Sequence, residues 1–278
     1  MKTPAMLLRL RNVPRLRALR LEEALFRADG RSWVIMCEWD SGGDAAAKAA
    51  AHEAAQCVVL GISGKPAEMV DAERAAAVEM PLIRRFSGGG TVVADADTLF
   101  VTFIAAGGAV PGTAPYPEPI LQWSEGVYAD ALRSCGVDGF RVNANDYCIG
   151  KHKFGGNAQS ISGKRWLHHT SLLWDYDPAR MAVLQMPARR PAYRADRPHG
   201  EFLRGLAEAV GSRSELMEAI LGAASQRFEL CPVSLPEAEE VLSRPHRKVT
   251  KLVHGEGGAW AEASRAHRLV PQSGEFGC

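Results

Sequence analysis

No sign of charge dominates this sequence: 33 Lys and Arg stand against 32 Asp and Glu, a formal charge of +1. That balance gives no support to a nucleic-acid surface, an acidic tail or global disorder. No apolar run approaches the roughly 18 residues that a membrane-spanning helix needs, so no membrane partner is expected. The six cysteines (Cys37, Cys57, Cys135, Cys148, Cys231 and Cys278) are scattered without a CxxC pair. Such spacing argues against a zinc knuckle or a disulfide framework, and no protein-held metal is expected. Neither GxGxxG nor GxxxxGK[ST] occurs in a strand-to-helix setting, which argues against a Rossmann or P-loop domain. Internal repeats are missing as well.

What is present is a 278-residue chain with 46% hydrophobic residues, enough for one large domain or two small ones. Arg9, Arg11, Arg15, Arg17 and Arg20 all precede the first acid, Glu22, a pattern superficially like an organellar transit peptide. Leu19–Arg27, however, reads as an amphipathic helix. The cytoplasm is therefore the expected compartment, with the mitochondrion as second choice. Short strands are expected at 33–37, 57–61, 82–86, 91–93 and 99–104, the last apolar on both faces as a central strand should be. The stretch 40–56, rich in Ala and Gly, reads as a helical excursion or a loop without chemistry, and 68–79 reads as a helix.

Ile120, Trp123, Val127 and Ala131 recur at helical spacing within 118–135, and Gly136 suits the C-cap. Residues 153–161 and 166–174 fit a hairpin. Asp177-Pro178 reads as the start of a helix that ends near Met186-Pro187, and further helices are expected at 200–210, 214–227 and 235–243. Strands flanked by helices without regular βαβ alternation imply an α+β fold with a mixed or antiparallel sheet.

Two stretches carry the chemistry. In Leu82-Ile-Arg-Arg-Phe-Ser-Gly-Gly-Gly-Thr-Val-Val-Ala-Asp95, three successive glycines let backbone approach a flat or anionic ligand, and the arginines beside them suit a phosphate or carboxylate. The second is Asn145-Asp146-Tyr-Cys-Ile-Gly150-Lys-His-Lys153-Phe-Gly155-Gly156-Asn157-Ala-Gln159-Ser, followed by His168-His169-Thr170. Strand alternation places Lys153, Gly155, Asn157 and Gln159 on one face and sends His168 and His169 to opposite faces.

The combination R-R-x-S-G-G-G-T-V, N-D, G-x-x-K-x-G-G-x-A-Q and H-H-T-x-L-L resembles the lipoate–protein ligase and octanoyltransferase family, a branch of the biotin/lipoate ligase fold. The resemblance runs from about Leu7 to about Leu252. It implies a catalytic domain over 1–252, in which 200–252 forms a short helical extension, and a mobile tail over 253–278. It implies that Lys153 contacts the activated acyl group and offsets charge on a phosphate or a carbonyl oxygen. By the same resemblance Arg85, Ser87, Gly88, Gly89 and Gly90 form one wall of the pocket, with Arg85 rather than Arg84 turned inward. Asn145 and Asp146 face a nucleotide, Gly155, Gly156 and Asn157 lie along the acyl-adenylate, and His169 orients the substrate or accepts a proton.

A ligase of this family uses ATP and Mg²⁺ to convert lipoate or octanoate to an acyl-adenylate, then passes the acyl group to a lysine of a carrier domain. Lipoyl domains of 2-oxoacid dehydrogenases or the glycine cleavage H protein are the implied partners, with a separate accessory chain since 200–252 is short. A transferase instead needs a cysteine nucleophile. At the two places where transferases carry one, this chain has Ala188, after Met186-Pro187, and Asp138. That favours the ligase over an ATP-independent transferase or a non-catalytic acyl- or nucleotide-binding protein. Two positions depart from the ligase pattern: Ala94 stands where many ligases have His, and Ser160 where many have a basic residue. Arg189, Arg190, Arg194 and Arg197, among prolines, read as a docking loop for an acidic carrier domain.

Overall fold

The computed structural model describes residues 2–40, 44–186 and 190–253. In chain order it comprises β1 (Thr3–Arg11), α1 (Arg15–Ala28), β2 (Ser32–Glu38), α2 (Ala45–Ala55), β3 (Cys57–Leu60), the short helices α3 (Pro66–Met69) and α4 (Ala72–Ala77), β4 (Leu82–Arg84), β5 (Val92–Ala94) and β6 (Thr98–Ala105). There follow α5 (Pro117–Ser134), β7 (Phe140–Asn143), β8 (Asp146–Ile149), β9 (His152–Ser162), β10 (Arg165–Leu173), α6 (Pro178–Met181), α7 (His199–Phe202), α8 (Arg213–Arg227), β11 (Phe228–Pro232), α9 (Leu235–Glu239) and β12 (Lys251–Leu252).

Among the described residues, eight strands form one mixed sheet in the order β11-β1-β2-β6-β10-β9-β8-β7, and four form a second, β12-β4-β3-β5. The fold is α+β, as the sequence implies. β6 lies inside the large sheet, antiparallel to both β2 and β10. Its alternate residues divide between two cores. Leu99, Val101 and Phe103 pack with Val127 and Ile220 beneath α5 and α8, while Ile104 packs with Leu21 and Leu25 of α1. A strand covered by helices on both faces must be apolar on both, which is what the run 99–104 shows.

Several local expectations change. The basic segment before α1 is a strand, since Leu8 and Leu10 are buried while Arg9 and Arg11 point outward, a period of two. The helix expected over 68–79 breaks at Val70, which bridges to Leu184. α6 stops at Met181 rather than near Met186. The helix expected over 200–210 ends at Phe202, since Leu203 bridges to Lys153; a Cβ on Gly205 would fall 2.6 Å from the Trp174 carbonyl oxygen, and only a 3₁₀ turn, Leu206–Glu208, follows. Residues 200–252 are not merely a helical extension: they supply β11 beside β1, β12 beside β4, and α8 to the main core. Glu23 draws the end of this segment onto α1, accepting from the Val249 and Thr250 amides at 2.8–3.1 Å. The tail expected beyond Val253 lies outside the described residues.

Candidate active site

The two sheets meet where the glycine turn after β4 approaches β9, and the Gly88 amide donates across to the Gln159 carbonyl at 3.4 Å. A cavity of about 800 Å³ lies there. Its mouth is at Gly89, Gly90 and Asn145, all exposed, and its buried end is at Arg15, Leu19, Glu22 and Val59. A second cavity of about 550 Å³ is walled by Met69, Val93, Leu173, Met181 and Phe202. Lys153, Asp146, Gly156 and Ser171 line both.

Lys153 reaches that shared wall because β9 does not keep simple alternation. Tyr147 faces Gly155 but Cys148 faces Lys153, so Phe154 is an extra residue in β9, a β-bulge. The bulge shifts the pleat between Lys153 and Gly155. Gly155 turns inward, where a Cβ would meet Leu172 and the Ser171 carbonyl at 3.0 Å, whereas a Cβ on Gly156 would lie 3.5 Å from the Lys153 ammonium. Lys153 therefore points to the same side as Gly156, and Gly155, which alternation alone would set beside it, also borders the smaller cavity.

The Lys153 Nζ sits 2.7 Å from Asp146 Oδ1. Asp146 starts β8 after a two-residue turn, Ala144-Asn145, in which both residues have positive φ (49° and 73°), the backbone of a tight hairpin. The Asn157 amide donates to the Asn145 carbonyl at 2.7 Å and holds this turn. Tyr193 donates to Asp146 Oδ2 at 2.8 Å and lies 3.3 Å from the Cys148 thiol.

Arg85 is the inward arginine, only 4% exposed, and it lines the larger cavity. It donates to the Gly88 carbonyl at 2.6 and 3.1 Å, to Gly90 O at 2.8 Å, to Val59 O at 3.4 Å and to Ser87 Oγ at 3.0 Å. Burial lowers its pKa to about 10, still far above neutrality. These bonds pin the glycine turn from beneath. Gly89, at φ +88°, has no room for a Cβ, which would stand 2.9 Å from Arg85 Nη2 and 3.0 Å from the Ala158 Cβ. That glycine is required by packing as much as by any ligand, whereas Gly88 and Gly90 have open space around them.

His169 is also engaged on both sides. Its Nδ1 lies 3.0 Å from Glu22 Oε2 and its Nε2 lies 2.7 Å from Ser87 Oγ. A proton on Nδ1 shared with the Glu22 carboxylate leaves Nε2 to accept from Ser87, while Ser87 accepts from Arg85. Burial lowers the His169 pKa against the pull of Glu22, and the hydrogen bond from His169 together with Arg15 holds the Glu22 carboxyl below its ordinary range despite desolvation. The order Ser–His–Glu is that of a nucleophile relay, yet Ser87 is 1% exposed and lines neither cavity. The chain stiffens the wall. His168, on the opposite face, bonds Tyr147 at 2.8 Å and Gln159 at 3.2 Å, and burial drives its pKa down to about 3.

Sequence reasoning missed Arg15, Glu22 and Tyr193. The signal for Glu22 was available: two adjacent acids among the apolar residues of α1 leave at least one buried. It also missed His52, whose ring nitrogens lie 3.5 Å from Asp95 Oδ2 and 3.1 Å from Asp97 Oδ2. Their donor atoms are close enough for a cation, but Arg180 and Arg213 already pair with the two aspartates. The expected docking loop is not a free basic surface. Arg194 is buried and lies over the Phe202 ring at 4.6 Å, and Arg197 donates to the carbonyls of Lys151, Tyr193, Arg194 and Glu201. Arg190 pairs with Asp196; Arg189 lies outside the described residues. No helix among the described residues is long and apolar enough to cross a membrane.

Comparison with known proteins identifies the fold and the family. The chain is 28% identical over 183 residues to "Inactive lipoate--protein ligase 2" of Plasmodium falciparum, covering 54% of this chain and 47% of that protein. It is 27% identical over 163 residues to "Putative lipoate-protein ligase A" of Aeropyrum pernix, covering 58% and 60%. The matches thus span about half the length of these curated relatives. A putative lipoate protein ligase of Thermoplasma acidophilum with bound lipoic acid superposes with a TM-score of 0.65 at 18% identity, covering 87% of this chain and 93% of that one. A lipoate-protein ligase A bound with ATP gives 0.65 at 18%, covering 87% and 92%. The two superpositions establish a shared fold, that of the biotin/lipoate ligase-like proteins. Residues 17–219 match the family described as "Lipoyl protein ligase A/B catalytic domain", and the chain belongs to that family.

Proposed function

We propose that this protein is a lipoate–protein ligase, which uses ATP with Mg²⁺ to convert lipoate or octanoate to an acyl-adenylate and then acylates a lysine of a lipoyl carrier domain. The observation that carries the reading is Lys153, set by the β9 bulge in the wall common to two cavities. The larger cavity, with Leu19 and Val59 at its buried end, suits the acyl chain. The smaller one, walled by apolar side chains with Arg194 and His199 at its edge, suits a nucleotide base and its phosphates. Between them Lys153 meets the bond joining acyl group and phosphate, and a cation there offsets the negative charge that develops as the carboxylate attacks the α-phosphorus with loss of pyrophosphate, and again as the carrier lysine attacks the acyl carbonyl with loss of AMP. Asp146 holds that ammonium in place. Binding of lipoic acid and of ATP by the two superposed ligases supports the same assignment.

The transferase reading needs a thiolate in the cavity. Among the described residues no cysteine lines either cavity, and burial raises the thiols of Cys37 and Cys57 to about 11 and about 12. Likeness to a relative named inactive keeps a non-catalytic binding protein as the second reading. ATP–pyrophosphate exchange dependent on lipoate or octanoate separates the three. Exchange supports the ligase; acyl transfer from acyl carrier protein without ATP supports the transferase; binding without either reaction supports the non-catalytic protein.

A further inference from the structure

Residues 193–204 are fastened to the Lys153–Asp146 pair at both ends. Tyr193 donates to Asp146, while the Arg204 amide donates to the Lys153 carbonyl at 2.9 Å and Leu203 bridges to Lys153. Between these ties Arg194 and His199 line the smaller cavity, and neither lines the larger one. Lys153 and Arg194 are the two permanent cations in that wall, and Glu68 and Asp146 are its two carboxylates. Both carboxylates are matched already, Asp146 by Lys153 and Glu68 by Lys65. Arg194 has no such match among the described residues: its Nε donates to the Arg197 carbonyl at 3.2 Å, and its guanidinium lies over the Phe202 ring at 4.6 Å. Nη2 is sealed within the protein, which leaves Nη1 and the charge itself to a ligand. The ring of His199 shows the same excess. Burial, then Arg194 and Lys153, hold its pKa down to about 4, so this edge of the cavity repels a further positive charge.

Displacement at phosphorus keeps the attacking and leaving oxygens roughly in line. With the carboxylate arriving from the larger cavity and Lys153 beside the α-phosphorus, the leaving group departs on the side of the smaller cavity. The carboxylate oxygen bonds to the α-phosphorus, the bond from that phosphorus to the bridging oxygen breaks, and its electron pair leaves with pyrophosphate. We propose that Arg194 binds the β- and γ-phosphates of the nucleotide and takes up the charge of the departing pyrophosphate. A guanidinium fits that task, since it stays charged and offers planar N–H donors to phosphate oxygens. Its role ends with the first half of the reaction, because the adenylate that remains keeps a single phosphate beside Lys153. This rests on the assignment of the two cavities to acid and nucleotide.

The test measures calorimetric binding of ATP, AMP and inorganic pyrophosphate to the full chain, together with octanoate-dependent ATP–pyrophosphate exchange. Arg194→Met should weaken ATP and pyrophosphate by about 10- to 100-fold, the range for hydrogen bonds to a charged group, and AMP by less than about 3-fold. A residue that merely shapes the cavity would weaken ATP and AMP alike. If that variant does not fold, the wild type decides by NMR of the His199 ring, assigned with His199→Gln. ATP or pyrophosphate should raise the His199 pKa from about 4, because their anionic oxygens face the same edge, and AMP should leave it in place. Equal losses for ATP and AMP, or unchanged binding of ATP and pyrophosphate, overturn the proposal, even where wild-type exchange proceeds and the ligase reading stands. So does a His199 pKa that ATP does not move, where the wild type decides. The expected order of binding with no exchange sustains the proposal and removes the ligase reading. A wild type that binds neither ATP nor pyrophosphate removes both.

Discussion

Replacing Arg85 by Lys separates two roles for the most tightly bonded side chain of the site. A lysine keeps the charge but loses the planar fork. Three carbonyls and one hydroxyl now receive the guanidinium. Gly88 is half-buried and Gly90 exposed, so water can replace much of what those two carbonyls lose. The Val59 carbonyl lies 3.4 Å away in a strand paired on both sides, and losing that long contact costs up to about 1 kcal/mol. With the weakened charged bonds to the turn added, Arg85→Lys should destabilise the fold by about 2–3 kcal/mol. At about 2–4 °C per kcal/mol for a domain of this size, the melting temperature should fall by roughly 5–10 °C. Urea unfolding and calorimetry measure this, with octanoate and ATP binding followed in parallel. An unchanged melting temperature together with lost binding of acid or nucleotide would refute the pin and restore Arg85 as a ligand for an anion.

Lys153→Met should cut adenylate formation by about 10²–10³-fold while changing stability by no more than about 1 kcal/mol, because its partly exposed pair with Asp146 is screened by solvent; single-turnover adenylation and urea unfolding check the two halves. His168 has a folded pKa of about 3 against 6.5 when free. As pH falls below 6.5 the unfolded chain takes up a proton that the folded chain refuses, so stability declines by about 1.4 kcal/mol per pH unit from this group. His168→Gln should remove that part of the slope in urea titrations at pH 7, 6 and 5; a slope as steep as the wild type's would show that His168 is not its source. Cys148→Ala should retain acyl transfer, and its loss under thiol-free conditions, with the fold intact, would favour the transferase chemistry. Tyr193→Phe frees one Asp146 oxygen, and should raise the KM for ATP more than that for the acid if the Tyr193 segment closes the smaller cavity.

Much of the large sheet was legible because its strands obey simple rules. The run 99–104 is apolar on both faces and is a central strand, and 153–161 with 166–174 forms the hairpin β9–β10. β1 was obscured by its arginines, which occupy the outward positions of a strand otherwise buried. The helix expected over 200–210 failed on tertiary contacts, the bridge of Leu203 to Lys153 and the approach of Gly205 to Trp174, that no local pattern carries. Within the site, the motifs located the residues but not their partners. A bulge is one residue added to a ladder, and only the facing strand reveals it, so the aim of Lys153 could not be read from alternation. Arg85 has the same composition cue whether it binds a phosphate or a backbone carbonyl. Arg15 and Glu22 lie far from the glycine turn in sequence and reach its cavity from α1, while His52 of α2 joins Asp95 and Asp97 instead.

The parallel pairing of β1 with β11, which sets Ala5 opposite Leu230, has a consequence for synthesis. β1 leaves the ribosome early but waits for its outer neighbour until nearly all of the described chain has been made. During that interval Met6, Leu7 and Leu8 lie beside an edge of unpaired amides and carbonyls, the kind of edge that other strands join. A chain halted before Phe228 would keep that edge open indefinitely. Shortening the protein to the 17–219 span shared with its family would remove both strands at once, leaving β2 as the new open margin and the core face of α8 stripped of its final turns.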